Sequence, residues 1–132
     1  MSNSNEKLNG KSRLLVVEDD ADFAATLRIG LSMKGYAVEV VSSSKEAQAH
    51  LEQEPVDLLI TDWVLPDGNG GEVCAVARAT KRPLPVIVMS GAMNERSQTI
   101  IECRPDVFLP KPIRMEHLFL HVHDLLYSSL GT

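Results

Sequence analysis

The chain has 132 residues, the length of one compact domain, and its 44% hydrophobic and 23% charged residues are ordinary for a soluble globular protein. Its 13 basic and 18 acidic residues give a net charge of -5. This balance argues against an electrostatic nucleic-acid binder, which needs a basic surface to neutralise phosphates. No apolar run approaches the roughly 20 residues that span a bilayer, and the first residues lack the apolar segment of a signal peptide. We therefore expect a cytoplasmic domain.

Residues 1–11 are rich in Ser, Asn and Lys, which predicts a disordered leader before a single domain over residues 12–130. Beyond the leader, short apolar runs alternate with segments of helical periodicity. In chain order the pattern predicts a strand at 14–17, a helix at 20–34, a strand at 37–41, a helix at 43–53, a strand at 57–61, a helix at 71–79, a strand at 85–89, a helix at 94–103, a strand at 107–109 and a helix at 114–128. Five strand-and-helix units predict an α/β fold with a parallel sheet between two helical layers.

A glycine-rich segment at 66–71 separates the third predicted strand from its helix. It lacks the Gly-Lys-Ser/Thr of a phosphate-binding loop, so we interpret it as a flexible turn that leads into the helix. Trp63, just before this segment, is predicted to be a partly exposed loop residue beside the site. His117 and His121 lie four residues apart on the last helix, where a solvated face is a simpler account than a metal pair.

Polar side chains follow four of the five predicted strands. Because ligands of open parallel sheets bind beyond the carboxyl ends of the strands, we expect these side chains to form one site. The site would comprise Glu18, Asp19 and Asp20 after the first strand, Asp62 after the third, Ser90 after the fourth and Lys111 after the fifth. Clustered carboxylates repel one another unless a cation joins them, and Mg²⁺ suits such oxygen ligands. One carboxylate can also attack phosphorus while an ammonium and a hydroxyl stabilise the transferring group.

Local structure offers a simpler role for two of these acids. Asp19 and Asp20 stand at the start of the first predicted helix, where carboxylates favour the helix dipole and accept from free N–H groups. Capping is the preferred role of Asp20. For Asp19 capping is the weaker account, because Asp62 and Lys111 occupy matching strand ends.

Four separated motifs together resemble the receiver domain of response regulators in two-component signalling. They are Val16-Val17-Glu18-Asp19-Asp20, the segment from Asp62 to Gly70, Met89-Ser90-Gly91 and Phe108-Leu109-Pro110-Lys111-Pro112. The resemblance implies a flavodoxin-like, doubly wound (βα)5 fold with a five-stranded parallel sheet in the order 2-1-3-4-5. It covers roughly residues 12 to 130.

The resemblance also implies a role for each site residue. Asp62 would be the phosphoacceptor, with Lys111 and Ser90 as its catalytic partners. Mg²⁺ would be held by Asp19 directly, by Glu18 through a water, by Asp62 and by the backbone carbonyl of Val64. Ser90 and Phe108 would form the switch, and the peptide bond before Pro112 is often cis in this family.

The implied function is a phosphorelay receiver that catalyses only its own phosphorylation and dephosphorylation. Its partners would be a histidine kinase or a histidine phosphotransfer protein, and a downstream effector at the surface of the fourth and fifth predicted helices. Neither direct nucleic-acid binding nor membrane insertion is expected. Two alternatives stay open: a phosphatase with an aspartyl nucleophile, and a receiver-like interaction module that is never phosphorylated. Val64 argues against the phosphatase, which usually has a second Asp at that position.

Overall fold

The computed structural model describes residues 10–80, 84–91 and 104–127. In chain order its elements are β1 (Arg13–Val17), α1 (Ala21–Met33), β2 (Ala37–Val41), α2 (Ser44–Gln53), β3 (Leu58–Asp62), β4 (Val64–Leu65), β5 (Gly68–Asn69), α3 (Gly70–Arg78), β6 (Val86–Ser90), β7 (Val107–Pro110) and α4 (Met115–Tyr127). The predicted helix at 94–103 and most of the predicted leader at 1–11 lie outside the described residues, so α4 corresponds to the fifth predicted helix.

Five strands form one parallel sheet in the order β2-β1-β3-β6-β7. Counted along the chain without the short β4 and β5, this is the predicted order 2-1-3-4-5. The central strands are continuous apolar runs because the sheet is buried on both faces. The pairings Val17–Thr61 and Asp62–Met89 bring the carboxyl ends of β1, β3 and β6 to one edge of the sheet.

Alternate residues of each strand face two separate hydrophobic layers. Leu15 and Val17 of β1 pack in the layer that α2 and α3 cover, whereas Leu14 and Val16 pack in the layer that α1 and α4 cover. These four side chains are at most 1% exposed. Burial of an aliphatic side chain of this size contributes about 1.5–3 kcal/mol, so the two layers fix the sheet and the helices relative to one another.

The helices flanking β2 begin and end at residues suited to those positions. Asp20 caps α1 by accepting from the backbone N–H groups of Asp22 and Phe23, which confirms its preferred role. The turn after α1 contains Gly35 at φ +98°, a conformation that disfavours a side chain. Ser43 caps α2 by accepting from the backbone N–H of Glu46. Within the described chain, no helix is both long and apolar enough to cross a bilayer.

The segment after β3 differs from expectation in two respects. Residues 66–67 form a turn that leads toward α3, as predicted, but β4 and β5 also pair around it as an antiparallel hairpin, with Val64 opposite Asn69 and Leu65 opposite Gly68. Trp63 is not a partly exposed loop residue, since it is only 7% exposed and packs in the hydrophobic layer under α2 and α3. The buried indole ring therefore holds the start of the hairpin against this hydrophobic layer.

Candidate functional site

Three carboxylates meet at the carboxyl ends of β1 and β3. Glu18 and Asp19 follow β1, Asp62 ends β3, and one ligand oxygen from each lies within 4.8 Å of the other two. Glu18 and Asp62 are buried, at 2% and 6% exposure, whereas Asp19 is exposed. The cluster therefore has a buried floor and one carboxylate that solvent can reach.

Lys111 bridges the two buried carboxylates. Its Nζ lies 3.0 Å from Asp62 Oδ2 and 3.3 Å from Glu18 Oε1. The ammonium also stands 5.3 Å from the centroid of the Phe23 ring. The backbone N–H of Lys111 donates to the carbonyl of Ser90 at 2.7 Å, which holds the residue after β7 against the end of β6. The peptide bond between Lys111 and Pro112 is cis.

Burial and charge shift the pKa values of all three groups. Burial raises the pKa of Asp62, and the hydrogen bond from Lys111 only partly opposes this. Burial likewise raises the pKa of Glu18, against the hydrogen bond from the Asp20 N–H. Burial would lower the pKa of Lys111, but its hydrogen bond and attraction to Asp62, together with Glu18, raise it instead. One ammonium thus faces a cluster of three carboxylates, and the cluster suits a further cation.

An open cleft of about 400 Å³ gives access to these groups. Its walls include the three carboxylates, Lys111 and the exposed residue Val64. Of the His, Cys, Asp and Glu side chains in the described part of the chain, this acidic cluster is the one group compact enough to hold a metal ion. Hard oxygen ligands around a solvent-filled cleft are the donor set that Mg²⁺ accepts.

Backbone contacts close the loop that follows the phosphoacceptor candidate. The N–H of Trp63 donates to the carbonyl of Met89 at 2.8 Å, and the N–H of Gly70 donates to the carbonyl of Trp63 at 2.8 Å. Gly70 comes so near to β3 that a Cβ there would lie 2.6 Å from the carbonyl oxygen of Asp62. Only glycine permits this approach, which holds the hairpin close to the site.

Asp67, at the turn of the hairpin, makes a pair of contacts that the sequence analysis missed. Its Oδ1 accepts from the backbone N–H of Ser44 at 2.8 Å, and its Oδ2 accepts from that of Lys45 at 3.0 Å. These hydrogen bonds lower the pKa of Asp67. The partners are more than 20 residues apart. The sequence could have suggested only that Asp67 accepts hydrogen bonds at a helix N-terminus, which carboxylates favour. It does not indicate which helix that would be.

The remaining predicted residues lie at different depths. Ser90 is 2% exposed and ends β6 opposite Pro110, so it stands at the same edge of the sheet as the carboxylates. Phe108 is half-buried in β7 and packs against the layer under α2 and α3. His117 is exposed on α4 and His121 is half-buried there.

Comparisons with known proteins agree with this arrangement. Residues 14–123 match the model of the response regulator receiver domain. The response regulator MprA of Mycobacterium leprae is 34% identical over 116 residues, which are 86% of this chain and 50% of that protein. MprA of Mycobacterium tuberculosis has the same identity and coverage. The chain thus spans about half the length of the curated relatives it matches.

Solved structures show the same fold. A CheY-like receiver domain protein from Methanospirillum hungatei superposes with a TM-score of 0.84 at 26% identity, covering 92% of this chain and 98% of that one. The receiver domain of a signal transduction histidine kinase from Syntrophus aciditrophicus superposes with a TM-score of 0.81 at 30% identity, covering 89% and 91%. These matches favour a receiver over the aspartyl phosphatase and the unphosphorylated interaction module.

Proposed function

Because the chain belongs to the response regulator receiver domain family of phosphorelay signal transduction, we propose that Asp62 is its phosphoacceptor. The observation that carries the assignment is the position of the Asp62 carboxylate. It is buried at the end of β3, opens into the cleft and lies 3.0 Å from the ammonium of Lys111. A carboxylate so placed can act as a nucleophile beside a fixed positive charge.

The reaction is phosphoryl transfer from a phosphohistidine of a histidine kinase or a histidine phosphotransfer protein. A carboxylate oxygen of Asp62 attacks phosphorus, an O–P bond forms, and the P–N bond to the donor histidine breaks. The imidazole nitrogen that leaves takes a proton from solvent. Lys111 stabilises the negative charge on the transferring group, and it is held for this by Glu18 and by the Ser90 carbonyl.

The acidic cluster fits a divalent cation, because one oxygen from each of its three carboxylates lies within 4.8 Å of the other two. Glu18, Asp19, Asp62 and the backbone carbonyl of Val64 would hold Mg²⁺. When bound, Mg²⁺ supplies positive charge to the phosphoryl oxygens. Asp19 is the exposed member of the cluster and lines the open cleft, so a cation from solvent can reach its carboxylate.

The switch would begin at Ser90 and Phe108. The Ser90 hydroxyl donates to a phosphoryl oxygen on Asp62, and this shifts the end of β6. The Ser90 carbonyl accepts from the Lys111 N–H, and Phe108 lies in β7 beside β6, so the shift reaches both. The output surface would be formed by the predicted fourth helix and by α4, where a downstream effector docks.

The setting of the domain is part of the same proposal. The receiver domain extends over residues 12–130, and it works in the cytoplasm. It acts on no substrate other than its own aspartyl phosphate. It contacts neither nucleic acid nor a membrane directly, which agrees with its net charge of -5.

Intact mass after incubation with acetyl phosphate and Mg²⁺ tests the phosphoacceptor. The wild type should gain one phosphoryl group, and Asp62→Asn should gain none. Asp57→Asn is the matched control, because Asp57 accepts from the Arg13 N–H at the opposite end of the sheet. The control should label like the wild type. Full labelling of Asp62→Asn would show that the nucleophile is another residue.

A further inference from the structure

Asp67 lies on the hairpin that follows Asp62, but its carboxylate reaches across to another element. Both of its oxygens accept from backbone N–H groups in the first turn of α2, those of Ser44 and Lys45. The cap residue Ser43 accepts from a third N–H, that of Glu46. The hairpin thus satisfies two of the free donors that every helix N-terminus presents, and the helix's own cap satisfies another.

A second contact joins the same two regions through α3. Glu72 Oε1 accepts from the Ser44 hydroxyl at 3.3 Å and from the backbone N–H of Asn69 at 3.4 Å. Asn69 in turn accepts from the Glu72 N–H and caps α3. The hairpin is therefore fastened to the starts of two helices that cover one face of the sheet.

Val64 stands on the other strand of this hairpin. It pairs with Asn69, lines the cleft, and carries the backbone carbonyl assigned to Mg²⁺. A two-stranded hairpin with two residues in each strand has little stability of its own. Its position relative to the acidic cluster must therefore come from contacts to larger elements. At its ends these are the Gly70 connection, the buried Leu65 side chain and the Glu72 contact to Asn69, and at its turn they are the two hydrogen bonds of Asp67.

We propose that Asp67 is a positioning residue that holds the Val64 carbonyl in place for the metal by fastening the β4–β5 hairpin to the N-terminus of α2. The inference rests on the proposed function of the site. It adds a route of coupling that bypasses Ser90 and Phe108. Coupling is reciprocal, so occupation of the site must also stabilise the contact between Asp67 and the first turn of α2.

Electrostatics suit this role. A carboxylate at the first turn of a helix interacts favourably with the positive end of the helix dipole, and hydrogen bonds to a charged acceptor are stronger than neutral ones. Asp67 is exposed, and neither of its two partners belongs to the site. A change at Asp67 therefore removes the fastening without altering any group in the cleft.

Two measurements on Asp67→Ala test the proposal, with Ser43→Ala as the matched control. Ser43→Ala removes a cap from the same helix turn but leaves the hairpin contact intact. We expect Asp67→Ala to weaken Mg²⁺ binding, followed by Trp63 fluorescence, by about 3- to 10-fold, a size that mutations along coupled networks produce. In the metal-free protein, hydrogen exchange over residues 63–70 should become faster. Ser43→Ala should leave both quantities within about twofold of the wild type.

Asp67→Asn, which keeps one acceptor oxygen, should give an intermediate loss of affinity and serves if Asp67→Ala folds poorly. Equal losses in Asp67→Ala and Ser43→Ala would mean that the stability of α2 matters and the contact does not, and the proposal would fail. Unchanged affinity and exchange in Asp67→Ala would also overturn it. A wild type that binds no Mg²⁺ contradicts the proposed function instead, and hydrogen exchange over 63–70 then decides on the role of Asp67.

Discussion

Glu18 and Asp62 are acids whose burial opposes their ionisation. Burial is the largest cause that raises the pKa of each above its ordinary value, which is 4.5 for Glu18 and 3.8 for Asp62. The charge of Asp62 further raises the pKa of Glu18, and the charge of Asp19 further raises that of Asp62. A raised pKa in the folded state means that the folded protein binds more protons than the unfolded chain. Without a metal ion, stability must therefore fall as the pH rises from those ordinary values through the raised ones.

Replacement of one of these acids by a neutral group of the same shape should stabilise the metal-free protein. At pH 7 and in the presence of a chelator, we expect Asp62→Asn to raise the free energy of unfolding by about 0.5–2 kcal/mol, the usual gain when a functional strain is removed. The gain should shrink as the pH falls through the raised pKa of Asp62. Urea unfolding at several pH values measures it. A variant that is less stable than the wild type at pH 7 would show that the Lys111 contact outweighs burial and repulsion.

Gly70 is another residue on which the geometry of the site depends, because it allows the hairpin to approach β3 closely. Because a Cβ would lie 2.6 Å from the carbonyl oxygen of Asp62, Gly70→Ala must push the hairpin away from β3. We expect a loss of about 1–3 kcal/mol in stability, as overpacking usually costs, and slower labelling by acetyl phosphate.

Gly30→Ala is the control for this substitution. A Cβ at Gly30 would lie 2.9 Å from Cε of Met115, the flexible end of a side chain that can move aside. Alanine is also a better helix former than glycine within α1. Labelling of Gly30→Ala should match that of the wild type. A Gly70→Ala protein that labels at the wild-type rate would mean that the hairpin shifts without disturbing Asp62.

Val64 lies where it would influence the lifetime of a phosphoryl group on Asp62. Its side chain is 58% exposed at the cleft and has no group that can orient an attacking water. We expect Val64→Asn to shorten the lifetime of the aspartyl phosphate several-fold, well below the roughly 10²- to 10⁴-fold effect of a positioned general base. Ile29→Asn, at an equally exposed apolar site on α1, is the control. Decay after removal of the donor measures the lifetime, and equal decay in Val64→Asn and the wild type would contradict the prediction.

Between elements, one arginine joins the end of α3 to the starts of two strands. Arg78 donates to the carbonyls of Leu84 and Arg104 and to the carboxylate of Asp106. Asp106 also accepts from the backbone N–H of Val86 at 2.7 Å. The ion pair itself is a third exposed and contributes little, so the hydrogen bonds to the carbonyls provide most of the connection.

Arg78→Met keeps the apolar stem and removes these donors. We expect it to lower the free energy of unfolding by about 1–3 kcal/mol, because acceptors lose their partners. Arg28→Met, at an exposed position on α1, should change it by less than about 0.5 kcal/mol. Denaturant unfolding compares the two. A similar small effect of both variants would assign the connection to the backbone hydrogen bonds alone.

A helix or strand can be predicted from the sequence when a local residue pattern specifies it, and cannot when tertiary packing does. β3 and β6 are predictable because strands buried on both faces must be continuous apolar runs. The β4–β5 hairpin is not, since two-residue strands leave no periodicity to detect. The buried position of Trp63 also escapes prediction, because it depends on α2 and α3 packing over a loop residue.

The candidate site divides in the same way. The placement of Glu18, Asp62 and Lys111 follows from the rule that parallel strands end at one edge, and the structure brings these three side chains together. The contact between Asp67 and α2 follows from no such rule. It depends on the distance between the turn of the hairpin and the first turn of α2, and only tertiary packing determines that distance.

For the whole molecule, the acidic cluster would couple folding to metal binding. The folded chain brings Glu18, Asp19 and Asp62 together, whereas the unfolded chain separates them and would bind Mg²⁺ weakly. Any ligand that prefers the folded state stabilises it, by about 2.7 kcal/mol at a hundredfold excess over its dissociation constant. We therefore expect Mg²⁺ to raise the melting temperature at pH 7. The rise should diminish as the pH falls, because protons that bind to Asp62 and Glu18 compete with the metal.

Asp19 allows this coupling to be tested without a change to a buried group. Asp19→Asn removes the exposed ligand, so it should abolish most of the rise in melting temperature with Mg²⁺ while leaving the metal-free protein close to the wild type. Asp22→Asn is the control, because Asp22 is exposed in the first turn of α1, three residues after Asp19, and lies outside the acidic cluster. Thermal unfolding with Mg²⁺ and with a chelator gives both differences. An undiminished rise in Asp19→Asn, or an equal loss in both variants, would place the metal elsewhere on the acidic surface. Metal binding would then stabilise the fold without occupying the proposed phosphorylation site.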